Sequence, residues 1–294
     1  MKRCILFIYC VLLATAAYCQ LAGTPTMYQV GRYNVYILTE HQGQNGIDIL
    51  IDAPDDVVEK YAPDGTFANA VNAVLIEKEG EVWLADTGFG RNIFTQMASV
   101  GITSADVDHL LLTHMHGDHI GGMLIDSEAA FPNAGVTVSA KEHRYWFSET
   151  EMMTLPENNH GHFRSAHNAL RKYGNKVITA EPLALGNVPA DGIHMLEAYG
   201  HTPGHVMFLV KDGDEELLIW GDITHAMAVQ MPHPEISVKY DVDPDAARET
   251  RLKVLDYVSG KRIPVAGMHI PFSGIGVISK SGPGGHEFTG YTAE

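Results

Sequence analysis

The stretch His114-Met115-His116-Gly117-Asp118-His119 decides how this 294-residue sequence is interpreted. It places four potential metal ligands within six residues, directly after a short apolar strand predicted over residues 108–113. Neutral imidazole nitrogens and a carboxylate together suit Zn²⁺, with Mn²⁺ or Fe²⁺ as alternatives. A histidine-rich loop without a function rarely follows a strand with this alternation. The stretch therefore predicts a metal centre.

Further motifs accompany this stretch in chain order. Ala85-Asp86-Thr87-Gly88 precedes it, and it is followed by His201-Thr202-Pro203-Gly204-His205, by Gly221-Asp222 and by His269 at a predicted strand end. Together these motifs resemble the HxHxDH pattern of the metallo-β-lactamase superfamily over residues 70–270. The resemblance implies an α/β fold, an αββα sandwich that forms a single domain, with two metal ions at the edge of its sheets.

The resemblance also implies a ligand set. Seven residues are expected to bind the two ions: His114, His116 and His205 the first, Asp118, His119 and His269 the second, and Asp222 both. A shared carboxylate limits the repulsion between neighbouring cations, which activate a bridging hydroxide as the nucleophile. Asp118 is also the predicted catalytic residue, because it can hydrogen-bond that hydroxide and move its proton. The expected cofactors are two divalent ions, with Zn²⁺ favoured.

Other polar residues near these motifs have less defined roles. Asp86 is expected to orient a ligand histidine rather than to bind metal. His201 and His225 remain open between a role in the site and ordinary packing. His160 and His162 resemble a ligand pair, but an exposed loop is favoured for them.

The stretch 141–173 narrows the branch of the superfamily. With Trp146 followed at once by Phe147, it resembles the cap of the methyl parathion hydrolase-like and lactonase branch, whose members act on lactones, aryl esters and organophosphate triesters. The residues from Trp220 to His225 and from Met268 to Phe272 carry the same resemblance. Five residues are predicted to line the substrate pocket: Phe89, Trp146, His225, Met231 and Phe272.

The predicted function is that of a dinuclear metal-dependent hydrolase. Its expected partners are small-molecule carboxylic esters or lactones, with organophosphate triesters as promiscuous substrates. A metallo-β-lactamase is one alternative, although the common ones use a thiolate ligand and no cysteine follows Cys19. Outside the hydrolases, a mononuclear iron dioxygenase of the same fold is another. The formal net charge of −16 argues against a nucleic-acid partner, because polyanions attract basic surfaces.

The beginning of the chain predicts a signal peptide over residues 1–19, followed by the hydrolase domain over 20–294. Met1-Lys2-Arg3 is basic, and the apolar run from Cys4 to Tyr18 is shorter than the roughly 20 residues that span a membrane. Cleavage after Cys19 is expected; lipid attachment there and an uncleaved anchor are the alternatives. We therefore expect an exported protein, periplasmic or secreted, without a stable membrane span. A homodimer is common in the branch that the sequence resembles.

Hydrophobic patterning predicts several local elements. Residues 33–38 and 47–51 are expected to be strands joined by a turn at 41–46. Two helices are expected in 141–173, around a loop at 155–161. Asp243 is expected to cap a helix over residues 245–259, because its carboxylate can accept from free backbone N–H groups.

Overall fold

The computed structural model describes residues 24–292, which form two large β-sheets, two short two-stranded sheets and the helices outside them. The predicted signal peptide, 1–19, lies outside the described residues. The described strands are β1 (Thr26–Val30), β2 (Tyr33–Gly46), β3 (Leu50–Ile51), β4 (Thr66–Lys78), β5 (Glu81–Ala85), β6 (His109–Leu111), β7 (Leu124–Ile125), β8 (Glu128–Ala129), β9 (Gly135–Ser139), β10 (Val177–Ala180), β11 (Gly192–Glu197), β12 (Val206–Asp212), β13 (Glu215–Ile219), β14 (Ser237–Val238), β15 (Val265–Ala266), β16 (Ile275–Lys280) and β17 (His286–Gly290).

The helices of the described chain lie between these strands. They are α1 (Asp55–Tyr61), α2 (Ile93–Ser99), α3 (Gly117–Ile120), α4 (Ala140–Trp146), α5 (Glu149–Thr154), α6 (His160–Tyr173), α7 (Met227–Gln230) and α8 (Pro244–Lys261). The Asp243 side chain accepts a hydrogen bond from Ala246 N at 3.0 Å, as the sequence predicted for the start of α8. No helix within residues 24–292 combines the length and apolar character needed to cross a membrane.

The two short sheets pair β3 with β14 and β7 with β8, whereas the two large sheets have seven and six strands. The larger has the order β1-β2-β4-β5-β6-β9-β10 and the smaller the order β11-β12-β13-β15-β16-β17. In β4, Val74 and Ile76 belong to the apolar cluster between the two sheets, whereas Ala73 and Leu75 belong to the cluster beneath α2, α4 and α6. Successive side chains of a strand point to opposite faces, so a strand apolar at every position is covered on both.

The smaller sheet shows the same arrangement. Phe208 of β12 faces the inter-sheet cluster, while Met207 and Leu209 pack in the cluster that contains Val254 and Leu255 of α8. Each sheet therefore has helices on its outer face and the other sheet on its inner face. This αββα sandwich confirms the predicted fold class.

The stretch 141–173 is the connection between two parallel neighbours. β9 and β10 pair in parallel, and such strands require a crossover connection. Here the crossover consists of α4, α5 and α6, with Trp146 and Phe163 buried against the larger sheet. The structure thus has three helices where the sequence predicted two.

The predicted turn at 41–46 is wrong. β2 continues through it, with a shift of register between Thr39 and His41, and pairs with β4 as far as Gly46 opposite Thr66. The polar composition that indicates a turn here results from exposure, because residues 41–44 are solvent-accessible.

Candidate metal centre

The predicted ligands lie at one edge of the sandwich, in loops that follow strands. His114 comes three residues after β6, Asp222 three residues after β13 and His269 three residues after β15. Gly221, between β13 and Asp222, has φ +59°, and a Cβ placed there would overlap the His205 ring. Glycine adopts this left-handed conformation without strain, which allows the chain to turn Asp222 toward the other ligands.

A first group of three nitrogens lies at the centre of this edge. His114 Nε2 is 3.0 Å from His116 Nδ1 and 3.2 Å from His201 Nε2, and the last two are 3.0 Å apart. A tetrahedral zinc ion with Zn–N bonds of about 2.0–2.1 Å separates its ligand nitrogens by about 3.3 Å. The first trio, as we call His114, His116 and His201, therefore has nearly the spacing that a zinc ion requires.

A second group lies beside it, on the other side of Asp222. His119 Nε2 is 3.7 Å from Asp118 Oδ1, and His269 Nε2 is 3.5 Å from Asp118 Oδ2. We call Asp118, His119 and His269 the second trio. The Oδ2 atom of Asp222 joins both groups, lying 3.0–3.6 Å from the Nε2 atoms of five histidines: His114, His119, His201, His225 and His269.

Unpartnered polar atoms provide an independent test of whether this donor set suits metal ions. Within the described residues, His119 Nε2 and Asp222 Oδ1 are buried without a hydrogen-bond partner. A buried polar atom without a partner is costly, and both atoms belong to residues of the histidine and carboxylate cluster. Divalent cations would satisfy them, so the residues present fit divalent metal ions.

Two buried carboxylates orient ligand rings from outside. Asp86 accepts from Thr113 N at 2.8 Å and lies 2.6 Å from His119 Nδ1, as the sequence predicted. Asp241 Oδ1 lies 2.9 Å from His201 Nδ1, an interaction that the sequence did not predict. Each carboxylate fixes the ring so that its other nitrogen points at the metal position.

The protonation states of the clustered side chains favour the binding of a cation. Burial lowers the pKa of His114 and of His116 well below the ordinary value, so both rings are neutral, as ligands must be. Although burial raises the pKa of Asp222, its histidine neighbours outweigh this effect and hold it well below the ordinary value. Burial opposes charge on His201, but Asp222 and Asp241 raise its pKa to about 9. Metal binding would therefore displace protons from the cluster.

The expectation that His205 binds the first metal ion is corrected by its contacts. Its Nδ1 lies 2.8 Å from the carbonyl oxygen of Ala198, and its Nε2 accepts from Asp222 N at 3.0 Å. With both ring nitrogens engaged by the backbone, His205 supports the Asp222 loop and is not positioned as a ligand. His201, which the sequence left open, takes that place in the first trio.

A pocket of about 680 Å³ opens onto the centre. Of the predicted pocket residues, Phe89, Trp146 and His225 line it. Met231 does not, because it is buried in the apolar cluster beneath α8. Phe272 is 49% exposed and is likewise not part of the lining. The prediction for these last two residues is wrong.

The sequence left a role of His225 in the site open and favoured an exposed loop for His162, but both residues line the pocket. His225 Nε2 lies 3.0 Å from Asp222 Oδ2 with the ring almost fully buried, and burial lowers its pKa to about 4. His162 lines the pocket, and its ring centre is 6.4 Å from that of His116. His160, in contrast, lies 3.1 Å from the carbonyl oxygen of Leu155 and is not part of the lining.

The fold and this donor set define a metal-dependent hydrolase of the αββα type. A family model described as "Metallo-beta-lactamase superfamily" matches residues 66–262, and the chain belongs to that superfamily. A probable metallo-hydrolase of Mycobacterium tuberculosis is 27% identical over 181 residues, which cover 51% of this chain and 56% of that protein. The chain spans little more than half the length of the curated relatives it matches.

Solved structures resemble the whole described fold. The hydrolase AbOPH of the beta-lactamase superfamily superposes with a TM-score of 0.83 at 27% identity, covering 92% of this chain and 98% of that one. AidC, a dizinc quorum-quenching lactonase in complex with a product, superposes with the same TM-score and coverage at 23% identity. These findings confirm the predicted superfamily and fold, and the family match supports the predicted class of metal-dependent hydrolase. The cluster of histidines and carboxylates in this chain supports its use of divalent metal.

Proposed function

We propose that this protein is a dinuclear hydrolase of carboxylic esters or lactones, with organophosphate triesters as promiscuous substrates. One observation carries the proposal: two trios of metal-binding side chains share Asp222 at the floor of an open pocket. Two divalent ions held there, for which Zn²⁺ is the best match, would supply an activated water and polarise a substrate carbonyl.

The chain's own residues complete the chemistry. The Asp118 side chain is 24% exposed and lines the pocket, so it can accept a proton from the attacking water and return it to the leaving oxygen. His225 lines the same pocket, and its Nε2 lies 3.0 Å from Asp222 Oδ2, so it helps to hold the shared carboxylate in place. His114, His119, His201 and His269 are buried, and together with the half-buried His116 they would hold the metal ions in place.

The lining of the pocket indicates the kind of substrate. It includes aromatic and apolar side chains, among them Phe89, Tyr145, Trp146, Leu155 and Phe163. It also includes polar side chains, among them His41, Asn45, Asn69, Lys239 and Tyr240. A molecule with an apolar acyl or aryl group and a polar ester or lactone end matches this mixed lining. The N-acyl homoserine product in AidC makes N-acyl homoserine lactones the first lactones to test.

The proposal is tested with purified, metal-loaded protein. The substrates are p-nitrophenyl esters, N-hexanoyl homoserine lactone, dihydrocoumarin, paraoxon and nitrocefin, each assayed with and without a chelator. We expect turnover of esters or lactones that chelation abolishes and added Zn²⁺ or Mn²⁺ restores. Turnover of nitrocefin alone would identify a β-lactamase instead. No hydrolysis by protein carrying two ions would refute the proposal.

We further propose that the protein is exported and lacks its first 19 residues when mature. The basic start and the apolar run of residues 4–18 support this. N-terminal sequencing of protein recovered from a secreting host should give Gln20 as the first residue. An intact Met1 would contradict the proposal. Light scattering on the same material tests the expected homodimer.

A further inference from the structure

Glu142 is a buried carboxylate that lies outside both trios. It belongs to α4 and has no solvent exposure. Its Oε1 accepts from Met115 N at 3.0 Å and from Trp146 Nε1 at 2.6 Å. Its Oε2 accepts from Thr202 Oγ1 at 2.7 Å and from Gly204 N at 3.0 Å. One side chain therefore satisfies four donors from three segments.

Two of these segments carry the first trio. Met115 stands between His114 and His116, and Thr202 directly follows His201. The third segment carries Trp146, whose ring lies 5.6 Å from that of His116 and lines the pocket. Each of the three segments therefore carries a metal-binding or pocket-lining residue.

Close backbone packing indicates that this arrangement is specific. A Cβ at Gly204 would overlap the backbone of Glu142, so only glycine allows the 201–205 turn to approach α4 this closely. Ser139 adds to the contact, since its hydroxyl donates to Gly204 O at 2.6 Å and accepts from Glu142 N at 3.1 Å.

Hydrogen bonds alone compensate the buried carboxylate of Glu142. In the described part of the chain no Lys, Arg or His forms an ion pair with it, and burial raises its pKa against the effect of its hydrogen bonds. A buried carboxylate is costly unless opposite charge or hydrogen bonds compensate it. The four donors around Glu142 are therefore what keeps this carboxylate in place.

We propose that Glu142 is a positioning residue that sets the metal affinity of the first trio by clamping the 114–119 loop to the 201–205 turn. This inference rests on the proposed dinuclear function. Glutamine at this position has one accepting oxygen, so its amide group would face two N–H or O–H donors. The 114–119 loop and the 201–205 turn could then no longer both be held. Loss of an interaction that orients ligands typically weakens metal binding about 10–100-fold.

Glu40 provides the matched control. It is a buried carboxylate that accepts from the backbone N–H groups of Arg91, Asn92 and Ile93, none of which adjoins a trio residue. Glu142→Gln and Glu40→Gln therefore make the same chemical change in two buried clamps. Only the first is expected to affect the metal centre, whereas both lower the melting temperature.

The experiment titrates metal-free wild type and both variants with Co²⁺, read by the visible absorption of the bound ion, and with Zn²⁺ against a competing chelator. We expect Glu142→Gln to bind one of two ions at least about 10-fold more weakly, with a changed cobalt spectrum. Glu40→Gln should match wild type in both readouts. Thr202→Val removes one donor to Glu142 and should weaken binding of the same ion to a smaller extent. It replaces Glu142→Gln in the test if that variant does not fold.

The proposed role of Glu142 would be overturned if Glu142→Gln had wild-type metal affinities and a wild-type cobalt spectrum, even with a lower melting temperature. If Glu142→Gln does not fold, the same result in Thr202→Val would overturn it. Equal weakening in Glu40→Gln would also overturn it, because the effect would then be a general loss of stability. Neither result bears on the proposed hydrolysis, which fails only if wild type with two bound ions turns over no substrate.

Discussion

Replacement of His201 by alanine, compared with the same change at His205, tests the assignment of the first trio. The two histidines flank one turn, four residues apart, but only His201 Nε2 lies within 3.2 Å of His114 Nε2. The structure therefore predicts that His201→Ala removes a ligand and that His205→Ala does not.

The expected magnitudes follow from the contacts. A residue that only supports a ligand typically costs about 10–100-fold in metal affinity when it is mutated, so loss of a ligand should cost at least about 100-fold. At about 1.4 kcal/mol per tenfold change, this is about 2.8 kcal/mol of binding free energy. His205→Ala instead leaves the Ala198 carbonyl and the Asp222 N–H without partners, each worth about 1–3 kcal/mol of folding stability.

The assay combines metal analysis after gel filtration, Zn²⁺ titration against a chelator and thermal melting of the metal-free proteins. We expect His201→Ala to retain one ion instead of two and to lose most activity. His205→Ala should melt at a lower temperature yet bind two ions, and His205→Gln replaces it if it does not fold. If His205→Ala lost an ion while His201→Ala kept both, the assignment from geometry would be refuted.

Three further changes give distinct results. Asp222→Asn removes the negative charge that faces five histidines, so both ions should be lost by metal analysis, and retention of two ions would contradict the shared-ligand arrangement. Phe89→Ala removes an aromatic side chain from the pocket lining, so KM for a p-nitrophenyl hexanoate should rise by about 3–10-fold more than KM for the acetate; an equal rise would place the acyl chain elsewhere. Asp212→Asn concerns pH. Hydrogen bonds from Arg32 hold the pKa of Asp212 below its ordinary value, so the ionised carboxylate stabilises the fold above about pH 4 and less as the pH falls. The melting temperature of this variant should therefore be lower than wild type at pH 7, with a difference that narrows below about pH 4. A difference constant with pH would refute the role of the ion pair.

The parts of the centre that could be predicted from sequence are local. His114, His116, Asp118 and His119 lie within six residues after a strand, and the backbone alone brings them together. Asp222 and His269 were expected from the motifs and also follow strands.

The choice between His201 and His205 could not be made from local sequence. β11 and β12 are antiparallel neighbours, so the end of one and the start of the other lie at the same edge of the sheet. Asp241, which orients His201, lies 40 residues farther along the chain. The sequence shows that Asp241 is present but not that it lies next to His201. In the same way, the burial of Met231 depends on its packing beneath α8, which the sequence alone does not show.

Because of the crossover between β9 and β10, the pocket lining can change separately from the metal-binding residues. Trp146, Leu155 and Phe163 of the pocket lining all lie between these strands, whereas every member of both trios lies outside them. Substitutions or length changes in this segment would alter which molecules enter the pocket without replacing a residue of either trio. New substrate preferences could thus be selected on an unchanged metal centre. Glu142 is the exception within the segment, because it contacts the 114–119 loop and the 201–205 turn. It should tolerate substitution least.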